Sequence, residues 1–144
     1  MSHSIHVLGP GDAAVLERVA PEVFDEAVNP EYTAEFLADP RHHLVVALDE
    51  GVVVGFASGV HYIHPDKPPE LFINEVGVAP THQRRGIARQ LLQGLLAQGR
   101  AVGCREAWVG TDVSNAGARA LYAAAGGAES PEPFIMFSFG LDER

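Results

Sequence analysis

The sequence predicts a mixed α/β fold. Three features carry that expectation: short β-branched runs, helical apolar stripes that alternate with them, and Gly and Pro clusters that punctuate the segments. Ile5-His6-Val7-Leu8 reads as a first strand, closed by the turn Gly9-Pro10-Gly11-Asp12. Asp12 suits the N-cap of a following helix, in which Val15, Leu16, Val19 and Val23 recur at helical spacing before Pro30 marks a boundary. A second short helix is expected over Glu31–Ala38. His43–Leu48 and Val52–His61 then read as a hairpin, because two β-branched runs flank the turn Asp49-Glu50-Gly51. The Pro-rich stretch His64–Pro69 is loop, and Leu71–Val78 is the next strand, stopped by Pro80.

From Gly86 to about Val102, Ile87, Ala88, Leu91, Leu92, Leu95 and Leu96 form the stripe of an amphipathic helix. Glu106–Thr111 reads as a strand and Ala116–Ala125 as a helix stopped by Gly126-Gly127. Phe134–Phe139 reads as a final strand after Pro131 and Pro133. No repeat, linker or low-complexity stretch interrupts the order, so residues 1–144 are expected to form one domain.

Composition narrows the function. With 47% hydrophobic and 20% charged residues, the chain has the make-up of a globular protein. No apolar run approaches the roughly 20 residues of a membrane helix, and the amino terminus lacks the basic and apolar regions of a secretory signal, so a cytoplasmic location without membrane partners is expected. The single cysteine, Cys104, has no partner for an intrachain disulfide and reads as a small buried hydrophobe. A net charge of −9 argues against nucleic-acid partners, because phosphate neutralisation needs clustered Lys and Arg. Residues 1–72 hold twelve acids against Arg18, Arg41 and Lys67, whereas residues 73–144 are balanced. A solvated surface explains such an acidic half, and so does a site that attracts a cationic ligand. The seven histidines show no ligand spacing typical of a catalytic metal, and no metal is assigned. His61 and Tyr62 end the strand before Leu71–Val78, where His61 is a candidate to line a ligand cleft.

The densest chemical signal runs from Val76 to Ala88, a strand passing through a short loop into the long helix. The first N–H groups of a helix lack internal partners and sit at the positive end of its dipole, so they can receive phosphate oxygens. Gly86 and Ala88 keep bulk away from that backbone, and Arg84 and Arg85 add positive charge. Neither a dinucleotide fingerprint nor a Walker loop is present.

These residues resemble a family. Gln83-Arg84-Arg85-Gly86-Ile87-Ala88 matches the Q/R-x-x-G-x-G/A signature of the GNAT superfamily of N-acetyltransferases, whose loop binds the pyrophosphate of acetyl-coenzyme A (acetyl-CoA). Asn115, Ala118, Leu121 and Tyr122 fit the N-x-x-A-x-x-L-Y pattern common there, followed by Gly126. The resemblance implies a mixed, mostly antiparallel sheet of about six or seven strands, flanked by about four helices and splayed at the cofactor site. It implies that Val76, Gly77 and Val78 pair through their backbone with the pantetheine arm. By the same resemblance Gln83, Arg84, Arg85, Gly86, Ile87 and Ala88 hold the pyrophosphate, Asn115 contacts the cofactor arm, and Tyr122 lies near the thioester sulfur as its acid.

An amine attacks only when uncharged, so a base is needed, and Glu75 is the candidate. Strict alternation along Leu71–Val78 places it on one face with Leu71, Ile73 and Gly77, where burial would raise its pKa. Phe72–Val78, the Arg84–Ala88 run and Thr111-Asp112 look most like the aminoglycoside 3-N-acetyltransferases of this fold, in which an aspartate stands at the place of Glu75. Asp112 matches an acid thought to hold the cationic sugar. Gly127 departs from the pattern, replacing a frequent aromatic. The first acceptor expected is therefore an aminoglycoside. Polyamines, other small amines and protein amino groups follow, and a non-catalytic acyl-CoA-binding module is the reading from another class. Pro133–Phe139 offers an apolar strand for a homodimer.

Overall fold

A computed structural model describes residues 2–142. Five strands form one sheet in the order β1 (Ser4–Leu8), β2 (His42–Asp49), β3 (Val52–Tyr62), β4 (Glu70–Val78) and β5 (Ala107–Trp108). β1 to β4 are antiparallel neighbours, and β5 adds in parallel at the β4 edge. Three α-helices accompany them: α1 (Pro30–Ala38), α2 (Ile87–Ala101) and α3 (Ala116–Ala124).

α2 is the helix whose stripe the sequence displays, and it covers one face of the sheet. Ile87, Leu91, Leu92 and Leu95 are buried against Val45, Ala57 and Leu71 of the sheet. Two glycines set how close it lies: a Cβ at Gly94 would stand 3.1 Å from Val45, and one at Gly99 2.9 Å from Leu71. Burying four such side chains stabilises the layer by roughly 6–12 kcal/mol before entropy is counted. On the opposite face, Phe24 stacks on Phe56 at 4.2 Å, and Leu16, Val23 and Leu37 complete the second layer. α1 begins at Pro30 because Asn29 caps it, accepting from the amides of Glu31 and Tyr32.

Three expectations are corrected. The helix after Asp12 is only a 3₁₀ turn, Ala13–Glu17. Beyond it the chain is recruited to the sheet: the Ala20 amide donates to the Val53 carbonyl and the Val53 amide to the Arg18 carbonyl, and Val19 bridges Val53. Pro21 has no N–H with which to continue a helix. The strand expected over Glu106–Thr111 shortens to Ala107–Trp108, whose pairing with β4 stops after two positions. The strand expected over Phe134–Phe139 does not form. Its backbone pairs with no strand among the described residues, and a strand without a neighbour leaves its polar groups to water. The sheet thus has five strands and three α-helices accompany it, fewer than the resemblance implies.

Candidate active site

The Val76–Ala88 connection builds an anion cradle. β4 ends at Val78, a 3₁₀ turn covers Pro80–His82, and α2 starts at Ile87. Gly86 is the N-cap with φ +79°, and no side chain caps the helix. The first intrahelical bond runs from the Gln90 amide to the Gly86 carbonyl, so the amides just ahead of it are left for a ligand. Arg84 also lies in the left-handed region, at φ +64°, which bends the loop tightly. The Gln83 side chain donates to the Val78 carbonyl at 3.1 Å and braces the turn. A cavity of about 230 Å³ is lined by Val78, Gln83, Arg84, Gly86, Ile87, Ala88 and Arg89, with Leu121 of α3 closing it. Uncapped amides, two arginines and an open floor fit a pyrophosphate.

His82 was missed by the motif reading. Its Nε2 lies 2.7 Å from Asp49 Oδ2 and its Nδ1 2.8 Å from Thr81 Oγ1, which ties the cradle to the β2–β3 turn. Nothing in spacing could reveal this pair, since Asp49 is far away in sequence.

Beside the cradle, β4 and β5 diverge. They pair only at Leu71–Ala107 and Phe72–Trp108, so Ile73–Val78 have no strand on that side among the described residues. Val76, Gly77 and Val78 therefore have a free flank on which an extended ligand arm can lie.

Glu75 reaches its place by a different route from strict alternation. Ile73 pairs with Gly59 and Glu75 with Ser58, so Asn74 is an extra residue, a β-bulge. The bulge reverses the phase. Leu71 and Ile73 face α2, whereas Glu75 shares the opposite face with Gly77, Phe56 and Ser58. Glu75 is exposed rather than buried as alternation implied, yet its carboxyl is held above the ordinary glutamate pKa, chiefly by partial desolvation and then by the negative charge of Asp25. Asp25 comes near because Gly77 has no side chain. A Cβ there would stand 3.0 Å from the Val23 carbonyl oxygen and 3.2 Å from the Phe56 ring, so the Val23–Asp25 segment crosses β4 at this point.

That segment borders a cavity of about 660 Å³, lined by Glu17, Glu22, Asp25 and Glu26 among apolar neighbours such as Phe24 and Val28. No Lys or Arg lines it. The acidic excess in residues 1–72 is consistent with such a field, but does not say that four of these acids line one cavity.

α3 presents the other pair. Asn115 caps it, its Oδ1 accepting from the Ala118 amide at 3.0 Å, which leaves the side-chain NH₂ for a ligand. Tyr122 is half-buried, and burial holds its phenol above the ordinary pKa, so it keeps its proton at neutral pH. The helix ends in a Schellman motif: Gly126 at φ +100° donates to the Ala123 carbonyl and Gly127 to the Tyr122 carbonyl. A Cβ at Gly127 would lie 2.9 Å from that carbonyl oxygen, which accounts for glycine there.

Two sequence candidates stand apart. Asp112 is exposed in the turn before α3, where its carbonyl accepts from the Asn115 amide. His61 does not join Glu75. It alternates with Gly59 on the α2 face, and its Nδ1 lies 2.8 Å from Nε2 of buried His43. Among the described residues no group of three or more His, Cys, Asp or Glu could hold a metal ion, and no helix is long and apolar enough to cross a membrane.

A cavity at the amino terminus of α2 beside a splayed strand, with the helix of Tyr122 next to it, fits an acetyl-CoA-dependent transferase. Residues 13–126 match the model of the acetyltransferase (GNAT) family, and the chain belongs to that family. It is similar to the N-alpha-acetyltransferase RimI of Mycobacterium tuberculosis, 37% identical over 92 residues; these are 62% of this chain and 54% of the relative, about half its length. It is also similar to the aminoglycoside N(6′)-acetyltransferase type 1 of Salmonella typhimurium, 30% identical over 89 residues, 59% of this chain and 61% of the relative. The fold matches that of AAC(6′)-Iy in complex with the bisubstrate analogue CoA-S-monomethyl-acetylneamine, with a TM-score of 0.78 over 97% of this chain and 99% of the other, at 22% identity. These relatives carry 6′ and N-alpha names, so they lend no support to the 3-N subgroup of the sequence reading.

Proposed function

We propose that the chain transfers an acetyl group from acetyl-CoA to a primary amine of a small, multiply cationic acceptor, with an aminoglycoside as first choice. The observation that carries this reading is the carboxylate-lined cavity beside Glu75, bordered by Asp25, on the face of β4 reached through the Gly77 crossing. A field of four carboxylates concentrates a polyamine and holds it without covering the amine that reacts.

Acetyl-CoA, the second substrate, supplies the thioester: its acetyl carbon forms the new C–N bond as the C–S bond breaks. Residues of the cradle, Gln83 to Ala88, would hold its pyrophosphate, and the free flank of Val76–Val78 its pantetheine. Asn115 would steady that arm through its uncommitted NH₂. Glu75 takes the proton from the incoming ammonium, directly or through water, and its raised pKa brings it nearer the operating pH, where a base is more effective. Tyr122 gives its proton to the departing sulfur and is restored by the proton the attacking nitrogen loses as the amide forms. The residues form one domain for this purpose, with donor and acceptor on opposite sides of the bulged strand.

Steady-state thiol release with gentamicin, kanamycin, spermidine and a lysine peptide tests the reading, with Glu75→Gln alongside. An aminoglycoside should turn over fastest, and NMR of the product then distinguishes the 3-N from the 6′ position. Glu75→Gln should lower kcat by about 10² with CoA affinity intact. The RimI likeness favours one second reading, a protein amino group, and preferential turnover of the peptide would replace the aminoglycoside by it. CoA binding without thiol release from any amine would replace both by a binding module.

A further inference from the structure

One face of the sheet carries an aromatic group that neither the core nor the proposed chemistry uses. Phe72 alternates with Leu71 and Ile73, so it points away from α2, to the face that Glu75 and Gly77 join after the bulge. Trp108, its partner in β5, lies against it with ring centroids 4.4 Å apart and an interplanar angle of 48°. The indole also reaches across β4, because its Nε1 donates to the hydroxyl of Tyr62 in β3 at 2.9 Å. His64 meets the Tyr62 ring edge-on at 5.1 Å, and its Nε2 stands 3.2 Å from a Glu70 oxygen. The indole is thus fixed at its N–H and backed by Phe72, yet it is 44% exposed. An aromatic side chain held in this way presents a flat apolar platform that loses little freedom when a ligand covers it.

Register sets where the platform stands. Phe72 pairs with Val60, Glu75 with Ser58 and Gly77 with Phe56, so the three β4 positions stand opposite every second residue of β3, about 7 Å apart per step. The platform, the Glu75 carboxyl and the crossing of Val23–Asp25 over Gly77 therefore lie in one line on one face, about 14 Å from end to end. The platform occupies the end at which β4 and β5 still pair, and the free flank of Val76–Val78 the end at which they part.

We propose that Trp108 is the floor of a second acceptor subsite, which takes the C–H face of a saturated ring while the carboxylate-lined cavity takes the acceptor's cationic end and the reacting amine comes between them at Glu75. This rests on the reading of the chain as an amine acetyltransferase, and it makes the acceptor a ring-bearing polyamine. Charge alone does not separate such a molecule from a linear polyamine, because both answer to the same carboxylates. The platform does. A saturated aminosugar ring has a face of C–H groups and a rim of hydroxyls. The face covers the indole, and the rim meets the Tyr62 hydroxyl, which accepts from Trp108 and keeps its own proton to donate. Ammonium groups on the ring are drawn to the indole by its negative face. A linear polyamine reaches the carboxylates equally well but has no face to lay on Trp108.

Trp108 is the only tryptophan of the chain, so its fluorescence reports on the subsite without turnover. Kanamycin, a polyamine built of rings, and spermidine, a linear one, are titrated into the CoA-bound wild type and then compared as acceptors of the wild type, Trp108→Ala, Trp108→Phe and Tyr62→Phe. Kanamycin should change the emission saturably and spermidine should not. Trp108→Ala should raise the kanamycin KM about tenfold, with kcat and the spermidine KM changed less than about twofold. Trp108→Phe, which keeps a ring against Phe72, should recover most of that loss, and Tyr62→Phe should raise the kanamycin KM several-fold. Kanamycin turnover without an emission change, equal emission responses to the two amines, or equal rises in both KM values would overturn the subsite and leave the transfer reading standing. An emission change without turnover would keep the subsite and sink the transfer. Neither turnover of kanamycin nor a change in emission would overturn both.

Discussion

Substituting Gly86 by alanine isolates the role of one backbone angle. Gly86 sits at φ +79°, and a Cβ built there meets nothing within 4 Å, so the cost of Gly86→Ala is torsional and not steric. Holding an L-residue in the left-handed region costs roughly 1–2 kcal/mol. The loop can relieve that strain only by rotating, which turns the amides ahead of Gln90 away from the cradle. Since 1.4 kcal/mol is a factor of ten in an equilibrium constant, CoA should bind about 5- to 30-fold more weakly. Gly126→Ala is the matched control: φ is +100° and the space is again open, but the residue ends α3 and faces no cradle. Urea unfolding and calorimetric titration with CoA give the two numbers for each variant. Both should lose up to ~1–2 kcal/mol of stability, and only Gly86→Ala should lose CoA affinity to this extent. Unchanged CoA binding by Gly86→Ala, or equal losses in both variants, would refute the placement of the pyrophosphate at the α2 amino terminus.

Gly77→Ala should act on the acceptor instead, because its methyl would push against the Val23 carbonyl and displace Asp25; an overpacking cost of ~1–3 kcal/mol is expected in denaturation. Kinetically the acceptor KM should rise several-fold while CoA titration stays as in the wild type. Tyr122→Phe keeps the ring and removes the proton, so kcat should fall by about 10² with little change in either substrate's binding. The acidic limb of kcat/KM against pH should lie above the ordinary glutamate range, because protonation of Glu75 removes the base, and Glu75→Gln should abolish that limb. Stability has its own pH dependence. Burial holds His43 and His61 below the 6.5 of a free histidine, so the unfolded chain takes up protons first. Stability present above about pH 6.5 should therefore fall as pH drops through the lower folded-state values, and urea midpoints of His43→Gln should show a shallower fall.

Much of this molecule was legible because local pattern and tertiary contact agree. The Ile87–Leu96 stripe, the Asp49-Glu50-Gly51 turn and the Gln83–Ala88 loop each specify their element within a dozen residues, and the structure forms all three. The segment Arg18–Ala20 was not legible, since its helical spacing yields to two hydrogen bonds with Val53, a partner with no local trace. Phe134–Phe139 has strand alternation, but a strand needs an edge, and sequence does not say which. At the site, residue types pointed to the Gln83–Ala88 loop and to Tyr122, on which the proposed cofactor site rests. Geometry alone could supply the His82–Asp49 tie, the approach of Asp25 over Gly77, and the removal of His61 to the α2 face.

The extra residue at Asn74 makes β4 a strand of two halves with separate tolerances. Before it, Leu71 and Ile73 answer to the packing of α2 and should accept only apolar residues of like volume. After it, Glu75 and Gly77 answer to whatever passes over the other face. Deleting Asn74 would leave Glu75 opposite Ser58 and merely restore regular alternation, whereas pairing Asn74 into the ladder would rotate Glu75 into the layer of Leu91 and Leu95, where a carboxylate has no partner. An extra residue thus separates the half of β4 that packs against α2 from the half that faces the Val23–Asp25 segment, so the second can diverge without disturbing the core under the first.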